Sequence, residues 1–213
     1  MLEELKQRIV HVAVAAEKSG LCRHRSGNFS MIDRSSGLIV ISPSGLDRNA
    51  MTVDDIPVLS ISGETVEAGK RAKASTEYPM HIKAYETRSD ISSVIHTHSE
   101  YATVFAVRGE PIKPVVFEAL FYGARTVVAT YGRPGTKYLA ESIVDPLREA
   151  DVCLLKSHGV LVVGGAIEDT LLRAQYVEDV AKLYYLSARL EGRAPEAIPD
   201  EEFALYKKEM GLR

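Results

Sequence analysis

The N-terminal segment has the hydrophobic pattern of an amphipathic helix. Apolar residues recur every three or four positions over 2–17, and Gly20 follows as a stop signal. A second helix is expected behind the capping candidates Ser75 and Thr76, with Pro79 tolerated in its first turn. The helices predicted along the chain are 2–17, 76–87, 100–107, 138–150, 167–189 and 201–210.

Shorter apolar runs between these helices predict β-strands. Residues 38–42 (LIVIS) are rich in branched side chains and lie between Gly37 and Pro43, two residues that commonly bound a strand. The strands predicted in this way are 38–42, 56–61, 91–98, 152–156 and 160–163, with a short helical turn between the first two. Segments 115–122 and 126–131 are expected to be strand or turn. Because helices alternate with single strands, we expect a layered α/β fold.

Composition and charge narrow the class of protein. With 213 residues, 46% of them apolar and 26% charged, the chain is expected to form one globular domain over 1–213. The formal charge is -3 and no basic block occurs, so nucleic acid is not an expected partner. No membrane contact is expected either, because no apolar run is long enough to span a bilayer. The pattern of the N-terminal segment fits neither a signal peptide nor a transit peptide. We therefore expect a cytoplasmic protein.

The two cysteines add no candidate chemistry. Cys22 and Cys153 could form at most one disulfide, and neither belongs to a CxxC pair. Cys153 lies inside the apolar run VCLL, where a free buried thiol is expected. We assign neither cysteine a function.

Three histidines are candidate metal ligands. His96 and His98 alternate along a predicted strand, so both imidazoles project from the same face. A catalytic zinc needs three protein ligands and an open position, and His158 stands in a Ser-His-Gly turn between two apolar strands. The alternative is that the pair simply occupies polar positions at a strand end, and the third imidazole favours a metal site.

Small polar residues in turns are candidate anion ligands. Ser75 and Thr76 open a helix, whose unpaired backbone N–H groups can accept a phosphate. Further neutral donors occur in the turns at Gly27-Asn28 and Ser44-Gly45. Singly, each segment is more commonly an ordinary cap or turn.

Five ordered motifs together resemble the class II aldolase/adducin family, and within it the fuculose-phosphate aldolases most of all. They are SGNFS (26–30), ISPSG (41–45), ASTE (74–77), HTHS (96–99) and SHG (157–159). The resemblance covers nearly the whole chain. It implies a three-layer α/β/α fold with a central, largely antiparallel sheet, and a homotetramer.

The resemblance also implies a set of site residues. Zn²⁺ or another divalent transition metal would be held by His96, His98 and His158. The substrate phosphate would be bound by Gly27, Asn28, Ser44, Gly45, Ser75 and Thr76.

Glu77 would be the catalytic acid/base, and a fourth metal ligand without substrate. The reaction implied is reversible cleavage of a phosphorylated ketose to dihydroxyacetone phosphate and an aldehyde. In it the metal acts as a Lewis acid and Glu77 takes the proton.

Related enzymes of the family provide alternatives. Its 4-epimerases have an aspartate at the position of Glu77, and this difference favours an aldolase. Its methylthioribulose-phosphate dehydratases use a glutamate in the region of Glu118 but lack one at the position of Glu77. An adducin-like, non-catalytic module would not need to keep metal ligands, so the three histidines favour an enzyme.

Two positions depart from the pattern of the fuculose-phosphate aldolases. Where those enzymes have tyrosines that handle the aldehyde, this chain has Phe117 and Met210. Tyr122 and Tyr206 are candidate replacements. The departures leave the aldehyde, and with it the sugar, open.

Overall fold

One eight-stranded sheet forms the framework of the protein in a computed structural model, which describes residues 2–122 and 125–209. The strands are β1 (Asn28–Asp33), β2 (Leu38–Ile41), β3 (Val58–Ser60), β4 (Thr65–Glu67), β5 (Ser93–Thr97), β6 (Thr126–Ala129), β7 (Val152–Leu155) and β8 (Gly159–Gly164). Their spatial order is β4-β3-β2-β1-β5-β8-β7-β6. Every neighbouring pair is antiparallel except β6 and β7. The predicted, largely antiparallel sheet is confirmed.

Helices cover both faces of this sheet. They are α1 (Glu3–Lys18), α2 (Tyr78–Thr87), α3 (Glu100–Arg108), α4 (Ala119–Tyr122), α5 (Lys137–Ser142), α6 (Val144–Glu149), α7 (Ile167–Glu191) and α8 (Asp200–Glu209). The first layer contains α1, α3 and α7, and the second contains α2, α5 and α6. The three-layer α/β/α architecture is therefore confirmed. Among the described helices, none has both the length and the apolar character that a membrane span requires.

Each helical layer has its own hydrophobic core against the sheet. Consecutive residues of β5 point into different cores: Ile95 packs into the first and Val94 into the second. The free thiols of Cys22 and Cys153 are buried in the first and the second core respectively. Strands β2, β7 and β8 also contribute residues to both cores, which explains why they are continuous apolar runs in the sequence.

Most predicted elements are confirmed, but four details were wrong. Strands β1 and β4 were not predicted, and segment 115–122, expected to be strand or turn, contains the helix α4. His98 lies one residue beyond the end of β5. The expected helix over 138–150 is divided at Ile143 into α5 and α6. Pro146 explains this division, because it has no N–H to donate to the Ser142 carbonyl of a continuous helix.

Candidate active site

The pairing of β5 with β8 brings the three histidines together. His96 lies on β5 and pairs with Leu161 of β8, so the turn before β8, which carries His158, lies beside the end of β5. This approach is close: a Cβ added at Gly159 would lie 2.3 Å from the backbone oxygen of Thr97. Glycine is therefore required next to His158 for the turn to pack against the strand.

The distances between the three imidazoles suit one metal ion. Their ring centroids are 4.6 to 5.0 Å apart. The Nε2 atoms of His96 and His98 are 3.0 Å apart, and one possible ligand atom from each of the three rings lies within 4.8 Å of the others. Ligand atoms about 2.1 Å from a tetrahedral zinc are roughly 3.4 Å apart, so these separations are close to those of a bound state.

Burial keeps the imidazoles in the neutral form that binds metals. Burial lowers the pKa of His96 well below its usual range, and the neighbouring rings of His158 and His98 add to the effect. Burial, and then the proximity of His158, lower the pKa of His98 to about 4. Burial also lowers the pKa of His158, against the opposite influence of Glu77. The Nδ1–H of His96 donates to the Val160 carbonyl at 2.9 Å, which leaves the Nε2 lone pair directed at the cluster.

Glu77 adds a carboxylate to the same cluster. It directly precedes α2, and its Oε2 lies 3.3 Å from His96 Nε2 while its Oε1 lies 3.5 Å from His158 Nε2. Asn28 donates through Nδ2 to Oε2 at 2.8 Å. Oε1 is buried and receives no hydrogen bond from any residue that the structure describes. Three neutral nitrogens and a carboxylate oxygen free to coordinate fit a divalent transition metal.

The predicted phosphate ligands come from segments that the fold brings side by side. A β-bridge joins Pro43 to Ala74, and the Ser75 N–H donates to the Ser42 carbonyl at 3.1 Å. Ser44-Gly45 and Ser75-Thr76 therefore flank one bridge at the start of α2. Ser44 and Thr76 both line an open cavity of about 890 Å³. Asn28 is on β1, which lies between β2 and β5, and it pairs with His96 of β5.

Gly27 lies in the loop before β1, packed tightly against β5. Its φ is +80°, and an added Cβ would lie 2.6 Å from both the sulfur of Cys22 and the backbone oxygen of His96. Arg48, which the sequence did not single out, supports the same loop. Its buried guanidinium donates to the Ser26 carbonyl and, at 3.2 Å, to the Gly27 carbonyl. An arginine in a polar loop carries no signal in the sequence that would have identified this contact.

The other candidate residues lie in a separate aromatic cluster formed by α4, α7 and α8 and the residues just before α4. Tyr122 stacks on Tyr176 with ring centroids 4.4 Å apart, and Phe117 and Tyr206 are in contact at 6.2 Å. Glu118 lines a cavity beside this cluster. Within residues 2–122 and 125–209, no hydrogen bond, ion pair or ring contact joins the cluster to the three histidines. Met210 lies outside the described residues.

Known proteins match the chain over most of its length. The model of the family described as Class II Aldolase and Adducin N-terminal domain matches residues 7–185. A 5-deoxy-D-ribulose 1-phosphate aldolase of Bacillus thuringiensis serovar kurstaki is 32% identical, over 95% of this chain and 93% of the relative. An L-ribulose-5-phosphate 4-epimerase of Salmonella paratyphi C is 29% identical, over 97% of this chain and 93% of the relative.

Solved structures support the same relationship. A structure of L-fuculose 1-phosphate aldolase superposes with a TM-score of 0.91 and 32% sequence identity, covering 98% of this chain and 97% of that one. The family match includes the positions of all three histidines, and the superposition covers nearly the whole chain. The chain therefore belongs to the class II aldolase and adducin family.

Proposed function

We propose that the protein is a divalent-metal aldolase, with zinc as the metal, that reversibly cleaves a phosphorylated ketose to dihydroxyacetone phosphate and an aldehyde. The observation that carries this proposal is the convergence of three neutral imidazoles and one carboxylate beside a rim of small polar residues. His96, His98 and His158 would hold the ion, and Glu77 would be a fourth ligand in the absence of substrate. The bound ion supplies Lewis-acid stabilisation of the negative charge that develops on the substrate.

Glu77 is the acid/base of the proposed reaction. In the synthetic direction its carboxylate removes a proton from the carbon beside the ketone of dihydroxyacetone phosphate, and the electron pair of the C–H bond moves towards the ketone oxygen. The resulting enediolate forms a C–C bond with the aldehyde carbon, the π electrons of the aldehyde C=O move to its oxygen, and that oxygen takes a proton from solvent while Glu77 releases its own. In the cleavage direction the hydroxyl loses its proton to solvent and the C–C bond breaks as the aldehyde C=O forms. Glu77, protonated from solvent, then gives its proton to the enediolate carbon. Oε2 of Glu77 lies 3.3 Å from Nε2 of His96, so the proposed base stands beside the proposed metal ligands.

The phosphate-binding role of Gly27, Asn28, Ser44, Gly45, Ser75 and Thr76 remains part of the proposal. Backbone N–H groups and hydroxyls at the start of α2 suit a phosphate, because the helix N-terminus favours negative charge. The two aldolases to which the chain is similar carry the names of ketose 1-phosphates. We therefore propose that the substrate is a ketose 1-phosphate such as L-fuculose 1-phosphate. We also propose a homotetrameric assembly, which light scattering coupled to size-exclusion chromatography would test.

Replacing Glu77 tests the proposed chemistry. In Glu77→Gln, exchange of the proton at the reacting carbon of dihydroxyacetone phosphate should fall by about 10²-fold or more, the usual scale for losing a general base. Metal content should stay near that of the unmodified protein. Unchanged exchange at normal metal content would remove Glu77 from the mechanism.

Glu118→Gln is the matched control. Glu118 lies beside the aromatic cluster and has no contact with the histidines among the described residues, so an aldolase that depends on Glu77 should exchange the proton normally in this variant. A dehydratase that uses Glu118 as its base would lose activity instead. The control thus separates two functions within the same family.

A 4-epimerase is the second candidate, because a named 4-epimerase is 29% identical over 97% of the chain. Glutamate rather than aspartate at position 77 favours the aldolase. Release of dihydroxyacetone phosphate from a panel of ketose 1-phosphates, measured beside conversion of ribulose 5-phosphate, distinguishes the two. Faster conversion of ribulose 5-phosphate would replace the aldolase proposal with an isomerase.

A further inference from the structure

Two polar stripes face each other behind Glu77. Asn28 and Ser30 alternate on β1 and therefore project from the same face of the strand. Glu77, His81 and Tyr85 are spaced four residues apart along the start and body of α2, so they share one face of the helix. All five residues are buried, and His81 and Ser30 have no exposed surface.

A continuous hydrogen-bond chain joins the two stripes. His81 Nε2 lies 2.5 Å from Asn28 Oδ1, and His81 Nδ1 lies 2.6 Å from Ser30 Oγ. Ser30 Oγ is in turn 2.7 Å from the hydroxyl of Tyr85. With the bond from Asn28 Nδ2 to Glu77 Oε2, the chain runs from the tyrosine hydroxyl to the catalytic carboxylate.

Only one arrangement of protons satisfies the whole chain when Glu77 is ionised. The carboxylate can only accept, so the amide nitrogen of Asn28 faces it and the amide oxygen faces His81. That oxygen requires a donor, which places the ring proton of His81 on Nε2. Nδ1 must then accept from the Ser30 hydroxyl, whose oxygen accepts from Tyr85. Burial lowers the pKa of His81 to about 3, which keeps the ring in the neutral form that this arrangement needs.

We propose that His81 is a positioning residue, which fixes the orientation of the Asn28 amide and through it the place of the Glu77 carboxylate. The inference rests on the proposed role of Glu77. A donor at His81 prevents the Asn28 amide from turning over, which would place its oxygen against the carboxylate. Oε2 is thereby held on Asn28 while Oε1 stays free on the side of His158.

Variants at His81 test the proposal by separating turnover from binding. His81→Leu removes the donor, so kcat for proton exchange should fall by about 10 to 100-fold, the usual effect of losing such a supporting hydrogen bond, while KM changes little. His81→Gln keeps a side-chain N–H that can reach Asn28 and should restore most of kcat. Met80 is buried on the same helix but takes no part in the hydrogen-bond chain. Met80→Ala therefore controls for lost stability and should keep kcat. A purely structural role for His81 predicts that the Leu and Gln variants have equal kcat.

A double variant separates failure of this inference from failure of the proposed function. In a Glu77→Gln background, His81→Leu should change the residual exchange by less than about twofold, because both residues act through one carboxylate. If Glu77→Gln abolishes exchange but His81→Leu leaves kcat unchanged, the positioning role is wrong and the proposed function stands. If His81→Leu raises KM at constant kcat, His81 acts on phosphate binding, which also overturns the proposal.

The protonation of His81 is a readout that needs neither metal nor substrate. Long-range ¹H–¹⁵N correlation spectra of the metal-free protein at neutral pH should show His81 with its proton on Nε2 and a lone pair on Nδ1. A proton on Nδ1 would make His81 donate to Ser30 and leave no donor for the Asn28 oxygen, which would overturn the proposal. Ser30→Ala should weaken the preference for this tautomer, because it removes the donor to Nδ1.

Discussion

Burial decides what the individual histidines can do. The sequence singled out His96, His98 and His158 because alternation on a strand and a turn between two strands are visible in the order of residues. It did not single out His81, because its position on a predicted helix does not reveal that the ring has no exposed surface. The spacing of Glu77, His81 and Tyr85 was a signal that could have been used. Spacing shows which residues share a face, but burial follows only from the packed fold.

The buried, neutral ring of His81 makes the protein sensitive to acid. Its pKa in the folded protein is about 3, below the usual value of 6.5. Between these values the unfolded chain takes up a proton that the folded protein does not, so the free energy of unfolding falls as pH decreases from about 6.5 towards 3. The loss due to His81 approaches about 1.4 kcal/mol per pH unit. Urea unfolding of the metal-free protein between about pH 4 and pH 7 measures this loss, because most of that range lies between the two pKa values.

His81→Gln is the comparison for this pH effect. Glutamine does not titrate in this range, so the variant should lose stability less steeply as pH falls, although the other buried histidines still contribute in the same direction. If the free energy of unfolding falls equally steeply with pH in the two proteins, His81 takes up its proton in the folded protein over the same pH range as in the unfolded chain.

At the scale of elements, length and apolar character determined which segments could be recognised. Strands β2, β7 and β8 were predicted because they are apolar runs buried on both faces, and β5 was predicted from its alternation. Strand β1 was missed because Asn28 and Ser30 interrupt its apolar pattern, and these two residues face the polar stripe of α2. β4 was missed because it is short and largely exposed. The same polar residues that connect β1 to the site therefore prevented its prediction as a strand.

The loop before β1 should tolerate no side chain at Gly27. Gly27→Ala places a Cβ 2.6 Å from the backbone of His96, whereas an added Cβ at Gly37, with φ +70°, meets nothing within 4 Å. Gly37→Ala thus controls for the backbone conformation alone, which costs about 1–2 kcal/mol. Gly27→Ala should lower the free energy of unfolding by about 1–3 kcal/mol more, the scale of overpacking, and should weaken metal binding. Equal losses in the two variants would show that the loop can move away from β5.

Across the whole molecule, the candidate metal site joins parts of the sheet that are distant in the sequence. Its histidines come from the end of β5 and from the turn between β7 and β8. The class of fold could be predicted from alternating helices and strands. The order of the strands could not, because antiparallel pairing of β5 with β8 is a contact over more than sixty residues that no local pattern encodes.

Removing the metal should therefore destabilise the whole fold. At a free Zn²⁺ concentration 100 times its dissociation constant, bound metal adds about 2.7 kcal/mol to the free energy of unfolding. Chelation should lower the Tm by the corresponding amount, and added Zn²⁺ should restore it. In His98→Ala the Tm should respond much less to either treatment. If chelation changes the Tm of both proteins equally, the ion acts elsewhere.

The two cysteines offer a way to follow how the layers separate. Each thiol lies in a different core, and burial raises the pKa of Cys22 to about 11 and that of Cys153 to about 12. Neither sulfur should react with a thiol reagent until its own layer opens. The single-cysteine variants Cys22→Ala and Cys153→Ala would thus report, by their modification rates, whether the two helical layers detach from the sheet together or one after the other.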